Sequence, residues 1–541
     1  MKTILCIIVL AVSLAAQAAA PPRGPARLRE LAVFPKMNLG FTFGFNFRNN
    51  TFTLNEDASL PDQIAQVQNE LKRRPDDIEQ LEELAELLQD NGETNESQSC
   101  YQKADKLAEN KVAESPRNGL YLINLGVAQN ALNQVVEAEM TFRKAVLVSS
   151  NQWQCWTGLG NFLAGQSAST LFPDTLRYQA APSAQTPSPA VLGYRPSPAA
   201  LKKSEALGHE ASECFNRAIT IAPTEPRVYL QRCGYFYMSI WQNCFYQHYR
   251  DNQTISPHQW LLAYMPDEMI ADLQKAADLT PKDYQLTAMA VYFSYAKALA
   301  LAPPHANTAF SAEMLPDSSR RLVEEALARL DRLSQDPDKR IAAGASEYLG
   351  LLDIVSGHKQ TAVERFRRSI ALDPSRSGAW DMLLASLLGS ASADELCSIC
   401  ESRLKYQDSA RNHLLLAKMY AQKAHQFKEA ARQAQMAATL ETNNTVSPLI
   451  LAAIALNDSV DTNALANAYT ELTRASDLIS RSPPNDDTAE RWRESMLDRA
   501  ILDGLVGTPE FLKGARDLID AVLRHFPDDP DAKDIREALV N

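Results

Sequence analysis

Basic runs are missing from this 541-residue sequence, whose formal net charge is −12. An acidic chain without lysine and arginine clusters repels phosphate backbones, which excludes nucleic acid as a partner and gives no grip on anionic lipid. Glycine is scarce, at 20 residues. Leucine and alanine are frequent, a balance that favours helices over a β-rich fold. Cysteine is sparse: beyond residue 20 there are Cys100, Cys155, Cys214, Cys233, Cys244, Cys397 and Cys400. An odd, scattered set is not the framework of a disulfide-built domain, and at least one thiol stays unpaired whatever the compartment. No stretch past residue 20 has the roughly 20 apolar residues that span a bilayer. Phosphate loops, His-Glu-x-x-His, Gly-x-Ser-x-Gly and the dinucleotide glycine fingerprint are all lacking. The sequence therefore assigns no catalytic residue, no cofactor site and no metal site, and the chain reads as a binding protein rather than an enzyme.

What is present begins with residues 1–20, which have the layout of a secretory signal. Lys2 is the positive start, Ile4 to Ala16 the short apolar core, and Ala16-Gln17-Ala18 a small-x-small cleavage pattern. Cleavage is expected after Ala18, since the alternative cut, after Ala20, places Pro21 directly behind it. The expected product is exported, periplasmic or secreted, with no stable membrane insertion after cleavage. Residues 21–75 form a linker and a cap. Within them Phe41, Phe43, Phe45 and Phe47 alternate with small or polar residues, Asn49-Asn50 suits a turn, and Phe52 and Leu54 resume the alternation. This two-residue period predicts a β-hairpin, expected to pack on the first helices and cap them.

Internal repeats dominate the rest. Gly126 and Gly160 lie 34 residues apart, as do Gly350 and Leu384. The clearest units are Leu122, Leu125, Gly126, Ala138, Phe142, Ala145 and then Leu349, Gly350, Ala362, Phe366, Ser369, Pro374. A small residue lets the first helix approach its neighbour, and a second small residue twelve positions on does the same for the second helix. A large apolar side chain then fills the gap, another small residue lets the next unit stack, and proline stops the helix. This pattern resembles the tetratricopeptide repeat over most of residues 76–527. The resemblance implies an all-α, right-handed solenoid of about ten helix pairs that binds polypeptides.

Regular repeats are expected at 76–151 and 338–441, degenerate ones with a C-terminal cap at 442–541, and three interrupted ones at 152–337. In the first interrupted unit 51 residues separate Gly160 from Ala211, where the regular units have 12. Residues 166–204, rich in Pro, Ser and Ala, are expected to be an inserted loop. The second insertion is aromatic, with Trp241, Tyr246, Tyr249 and Trp260 among its residues, and the third contains Phe310. Three insertions at equivalent turns should gather on one edge of the solenoid.

By the register of the resemblance, Thr157, Asn161, Gln231, Tyr235, Thr287, Tyr295, Glu347, Asp381, Arg411, Lys418 and Gln422 line the concave face. The protein-binding set assigned from sequence is Thr157, Asn161, Gln231, Tyr235, Trp241, Trp260, Tyr295 and Lys418. Asn161 is paired with Thr157 where the family's clamp for acidic chaperone termini needs lysine, so that role is not supported. Cys397-Ser-Ile-Cys400 falls inside a second helix, where two core residues are expected, and the group Cys244, His248 and His258 reads as surface histidine beside aromatic packing rather than a metal site. The function this implies is an exported scaffold or adaptor holding a protein or peptide in its groove and inserted loops. The rival functions are an architectural part of a cell-envelope assembly, or glycan binding through the aromatic insertion.

Overall fold

The computed structural model describes residues 60–171, 196–251, 265–301, 315, 317–441, 445–458, 462–481, 486–506 and 508–540, with three strands nearer the N-terminus. The strands are β1 (Ile4–Ile7), β2 (Thr42–Arg48) and β3 (Thr51–Leu54), antiparallel in the order β1-β2-β3. The expected hairpin is β2–β3, paired from Phe45↔Leu54 to Arg48↔Thr51; its turn at Asn49-Asn50 lies outside the described residues. The element that β3 approaches is the helix Pro226–Asp251, not the first helices that the hairpin was expected to cap. β1 falls in the stretch expected to be cleaved, so a processed chain would keep only the two-stranded part.

Twenty-two helices make up the rest of the described chain, in two compact units that divide between Asp373 and Pro374. The first unit holds α1 (Leu60–Arg73), α2 (Ile78–Asp90), α3 (Thr94–Glu114), α4 (Gly119–Ala131), α5 (Val135–Val148), α6 (Trp153–Leu171), α7 (Pro198–Ile221), α8 (Pro226–Asp251), α9 (Asp267–Leu279), α10 (Tyr284–Leu301), α11 (Asp317–Leu333), α12 (Lys339–Val355) and α13 (Lys359–Leu372). The second holds α14 (Ser377–Leu387), α15 (Ala393–Leu404), α16 (Ala410–Gln422), α17 (Phe427–Leu440), α18 (Val446–Asp458), α19 (Thr462–Arg481), α20 (Asp486–Val506), α21 (Pro509–His525) and α22 (Pro530–Val540). From α2 to α21 each even-numbered helix packs on the odd-numbered one after it, giving ten helix pairs, with α22 left single at the end.

Small-residue positions set the spacing. A Cβ built on Gly350 would stand 2.7 Å from the Phe366 ring, and one on Gly126 would stand 3.0 Å from the Phe142 ring. Both aromatics are buried and come from the second helix of the same pair. Glycine thus admits the ring edge to the backbone of the first helix, which is the close approach read from the repeat. In four regular units the turn between the paired helices passes through a left-handed residue: Gly92, Asn133, Gly357 and His425. Such a residue ends the first helix and reverses the chain at once.

The first helices of successive pairs also touch one another, α2 to α4 to α6 to α8, and α10 to α12, whereas the second helices make no comparable approach. Within the first unit the even-numbered helices therefore form the inner layer. The second unit repeats the arrangement with α16, α18, α20 and α22. There α22 is held by Arg493 of α20, which bonds Asp529, Asp531 and Glu490.

At the first insertion the structure corrects the expected loop boundaries. α6 runs on to Leu171 and α7 begins at Pro198, so both ends of 166–204 are helical. A contact across the insertion holds these ends: the Ser167 hydroxyl donates to the Ser204 carbonyl at 2.8 Å, both residues are buried, and Ser197 caps α7 by accepting from Ala200 N. Residues 172–195 lie outside the described residues, as does the gathering of the three insertions. Replacing 172–195 with a short flexible linker is expected to leave helix content and thermal unfolding unchanged, because repeat contacts are nearest-neighbour. Cutting back through Ser167 and Ser204 should cost about 1–3 kcal/mol by removing a buried hydrogen-bonded pair. Circular dichroism and urea unfolding of the two deletions check this, and equal losses in both would show that the intervening loop is core.

Candidate protein-binding face

Of the sequence-assigned set, Asn161 and Gln231 are brought together. They sit on α6 and α8, neighbours in the inner layer, and Asn161 Nδ2 donates to Gln231 Oε1 at 2.8 Å across 70 residues of chain. Gln231 is buried and Asn161 half-buried. This amide pair bridges two units on the face where the first helices meet. One amide hydrogen of Asn161 is spent on Gln231, while its carbonyl oxygen accepts nothing from the described residues. A side-chain amide has a donor and an acceptor in the pattern a peptide backbone needs.

The other assigned residues are placed differently. Thr157 is buried and its hydroxyl donates to Gln154 O in its own helix. Tyr235 is in the seam between units: its hydroxyl donates to Gly208 O at 2.8 Å and its ring lies 5.3 Å from that of Phe215. Tyr295 is buried, and burial, then the charge of Glu324, pushes its phenol up. Lys418, half-buried, belongs to the second unit. The side chain of Trp241, on α8, and the whole of Trp260 lie outside the described residues.

Among the wider groove positions, Thr287 and Glu347 are buried. Asp381 is engaged by two arginines: Arg403 and Arg411 both donate to its carboxylate, the latter at 2.9 Å. Arg411 is half-exposed and Gln422 exposed. Inner-layer polar residues in this protein are thus largely satisfied by neighbours rather than presented bare.

The edge of the inner layer in the first unit has features that the assignment missed. The Arg227 guanidinium, held by Glu225 at 2.8 Å, lies 5.0 Å over the Trp153 ring, joining α8 to α6. Its bonds to Glu225 raise this arginine, and the charge of Glu79, on α2, adds to that. Glu79 begins an acidic stripe, Glu79, Glu82, Glu86 and Asp90, spaced to share one face of α2. Carrying the repeat register, anchored on Ala85, into this first unit finds the stripe from sequence alone.

Cys397 and Cys400 are core residues of α15, in an apolar cluster with Leu384, Leu396, Leu415, Leu416 and Met419. Burial pushes their thiols up to about 11 and about 12, so neither is a ready thiolate. Cys100, Cys155, Cys214 and Cys233 are also free thiols. The side chains of Cys244 and His248, and the whole of His258, lie outside the described residues. Among the described residues no group of three or more His, Cys, Asp or Glu converges as a metal ion requires, and no helix is long and apolar enough to cross a membrane.

No family model matches the chain. No curated protein matches it either. Solved structures do. The crystal structure of yeast Tom70 has 14% identity and a TM-score of 0.33, covering 88% of this chain and 91% of that one. The human IFIT1 dimer with PPP-AAAA has 14% identity and a TM-score of 0.31, covering 90% and 94%. The APC/C hetero-tetramer Cut9–Hcn1 has 12% identity and a TM-score of 0.26, covering 89% and 93%.

Proposed function

We propose that this protein is an exported scaffold that holds a protein or peptide partner on the inner face of its first unit, and that it acts by binding rather than by catalysis. The observation that carries the reading is the Asn161–Gln231 bond, which sets a side-chain amide on the face where α6 and α8 meet. Asparagine so held by a neighbour is preorganised, and a peptide backbone that binds it does not bear the entropy of fixing its rotamer. Export rests on the layout of residues 1–20.

Affinity capture with the full chain from native envelope or secreted material, followed by mass spectrometry, names the partner. Against that partner Asn161→Ala is expected to weaken binding about tenfold, which corresponds to ~1.4 kcal/mol. Alanine at Trp241 or Trp260 should weaken it by at least a similar factor if the aromatic insertion anchors the partner. Asn161→Ala takes a donor from the buried Gln231, so the unfolding free energy should fall by no more than the ~1–3 kcal/mol of one buried hydrogen bond, and binding is compared at a temperature where both proteins are folded. A captured partner that binds Asn161→Ala as tightly as the parent would move the binding centre elsewhere. N-terminal sequencing of the exported chain tests the leader: Ala19 as first residue supports it, and Met1 overturns it.

A further inference from the structure

We infer that the acidic stripe of α2 is a binding site for a cationic side chain, a lysine or arginine carried on a protein partner. The inference rests on the proposed function and specifies the partner's chemistry. Glu79, Glu82, Glu86 and Asp90 stand on one face of α2, on the side away from the buried Leu81, Leu84 and Leu88. α2 belongs to the inner layer, where it touches α4, and the field of Glu79 reaches Arg227 of α8. Of the stripe, Glu79 is the member whose charge acts on Arg227.

Glu82 turns this stripe from a charged face into a site. It is only 4% exposed, and its Oε1 is buried with no hydrogen-bond partner. Its burial, then the charges of Glu86 and Glu79, push the carboxyl well above the usual range. Among the described residues no cation bonds that oxygen. Tyr101 of α3 is buried in the same field, and its phenol is raised by burial first and then by Glu86, Glu82 and Asp90. A buried carboxyl oxygen with no bond destabilises the free protein. The described carboxylates do not converge on a point as a metal needs. A flexible stem ending in an ammonium or guanidinium meets both conditions: it reaches a recessed oxygen, and it brings charge and hydrogen-bond donors together.

The test uses the full chain and a fluorescein-labelled alanine-rich decapeptide bearing three lysines, beside a twin in which all three are acetylated, read by fluorescence anisotropy. Acetylation removes the charge and keeps the stem. The lysine peptide should bind and the acetylated twin should not. Glu82→Gln should weaken the lysine peptide by about thirtyfold or more, whereas Glu510→Gln, an exposed acid of the second unit, should leave it unchanged. The free Glu82→Gln protein should melt no lower than the parent. Its advantage should grow as pH rises: a carboxyl whose folded pKa exceeds its ordinary 4.5 adds no penalty below that pH and an increasing one above it. Equal affinity of Glu82→Gln and parent, equal binding of both peptides, or no binding of the lysine peptide overturns the inference. Should Glu82→Gln not fold, Glu79→Gln with Glu86→Gln must weaken binding severalfold for the inference to stand. If the lysine peptide fails while capture still depends on Asn161, only the cation site is lost; if capture is indifferent to Asn161, the proposed binding face is lost.

Discussion

Alanine at Phe366 is expected to lower the stability of the first unit by about 3–5 kcal/mol, the loss typical of a fully buried aromatic side chain. Phe366 is completely buried, and its ring edge lies against the backbone of Gly350. Leucine at Gly350 is expected to cost about 1–3 kcal/mol by overpacking, because a Cβ there already stands 2.7 Å from the ring. A gain of up to ~1 kcal/mol in helix propensity offsets part of that cost. The informative measurement is the double variant. With the ring gone, the leucine enters the space it left, so Gly350→Leu with Phe366→Ala should lose less than the two single variants together. Urea unfolding followed by circular dichroism gives the three values. Strict additivity would mean that the two positions do not touch, and the helix-pair register would be wrong at its clearest unit.

Asp381→Ala is expected to cost the second unit about 3–5 kcal/mol, since it strands a buried cation. Arg403 is 1% exposed, and Asp381 is the carboxylate it bonds; its other recorded bond goes to Gln407 Oε1 at 3.2 Å. Arg411 shares the same carboxylate but its side chain is 46% exposed, so Arg411→Ala should cost at most about 1 kcal/mol. Replacing the buried pair together, Asp381→Leu with Arg403→Met, should recover much of the loss, since an apolar pair needs no compensation. An Asp381→Ala protein within 1 kcal/mol of the parent would mean that water reaches Arg403 freely. Asp381 matched the register of a groove position, yet its carboxylate is a strut between α14, α15 and α16. Its effect on partner binding should therefore follow stability rather than contact.

The amino-acid pattern made the repeat legible because its signals are local. Gly126 with Phe142 and Gly350 with Phe366 recur at fixed offsets, and each pair meets inside one helix pair. The alternating phenylalanines near residue 45 read as strands for the same reason, a period of two. The ends of the inserted segments were less legible. Serine and alanine near 166–171 and 198–204 suit loop or helix alike, and a buried contact, Ser167 to Ser204, decides for helix.

Side-chain roles were the least legible part. A register position says which way a residue points, not what it meets there. Thr157, Asn161 and Gln231 occupy comparable positions, yet one bonds its own backbone and the other two bond each other. The sequence by itself determined the helices, their pairing, the hairpin strands and the acidic balance, since each follows from spacing or composition along the chain. The tertiary structure alone decided which polar groups are satisfied: Asn161 by Gln231, Arg403 by Asp381, Arg493 by Asp529, and the buried Oε1 of Glu82 by nothing. Three of those relations join residues between 22 and 70 positions apart. Their energies depend on distance and burial, which the stacking of units fixes and local spacing does not.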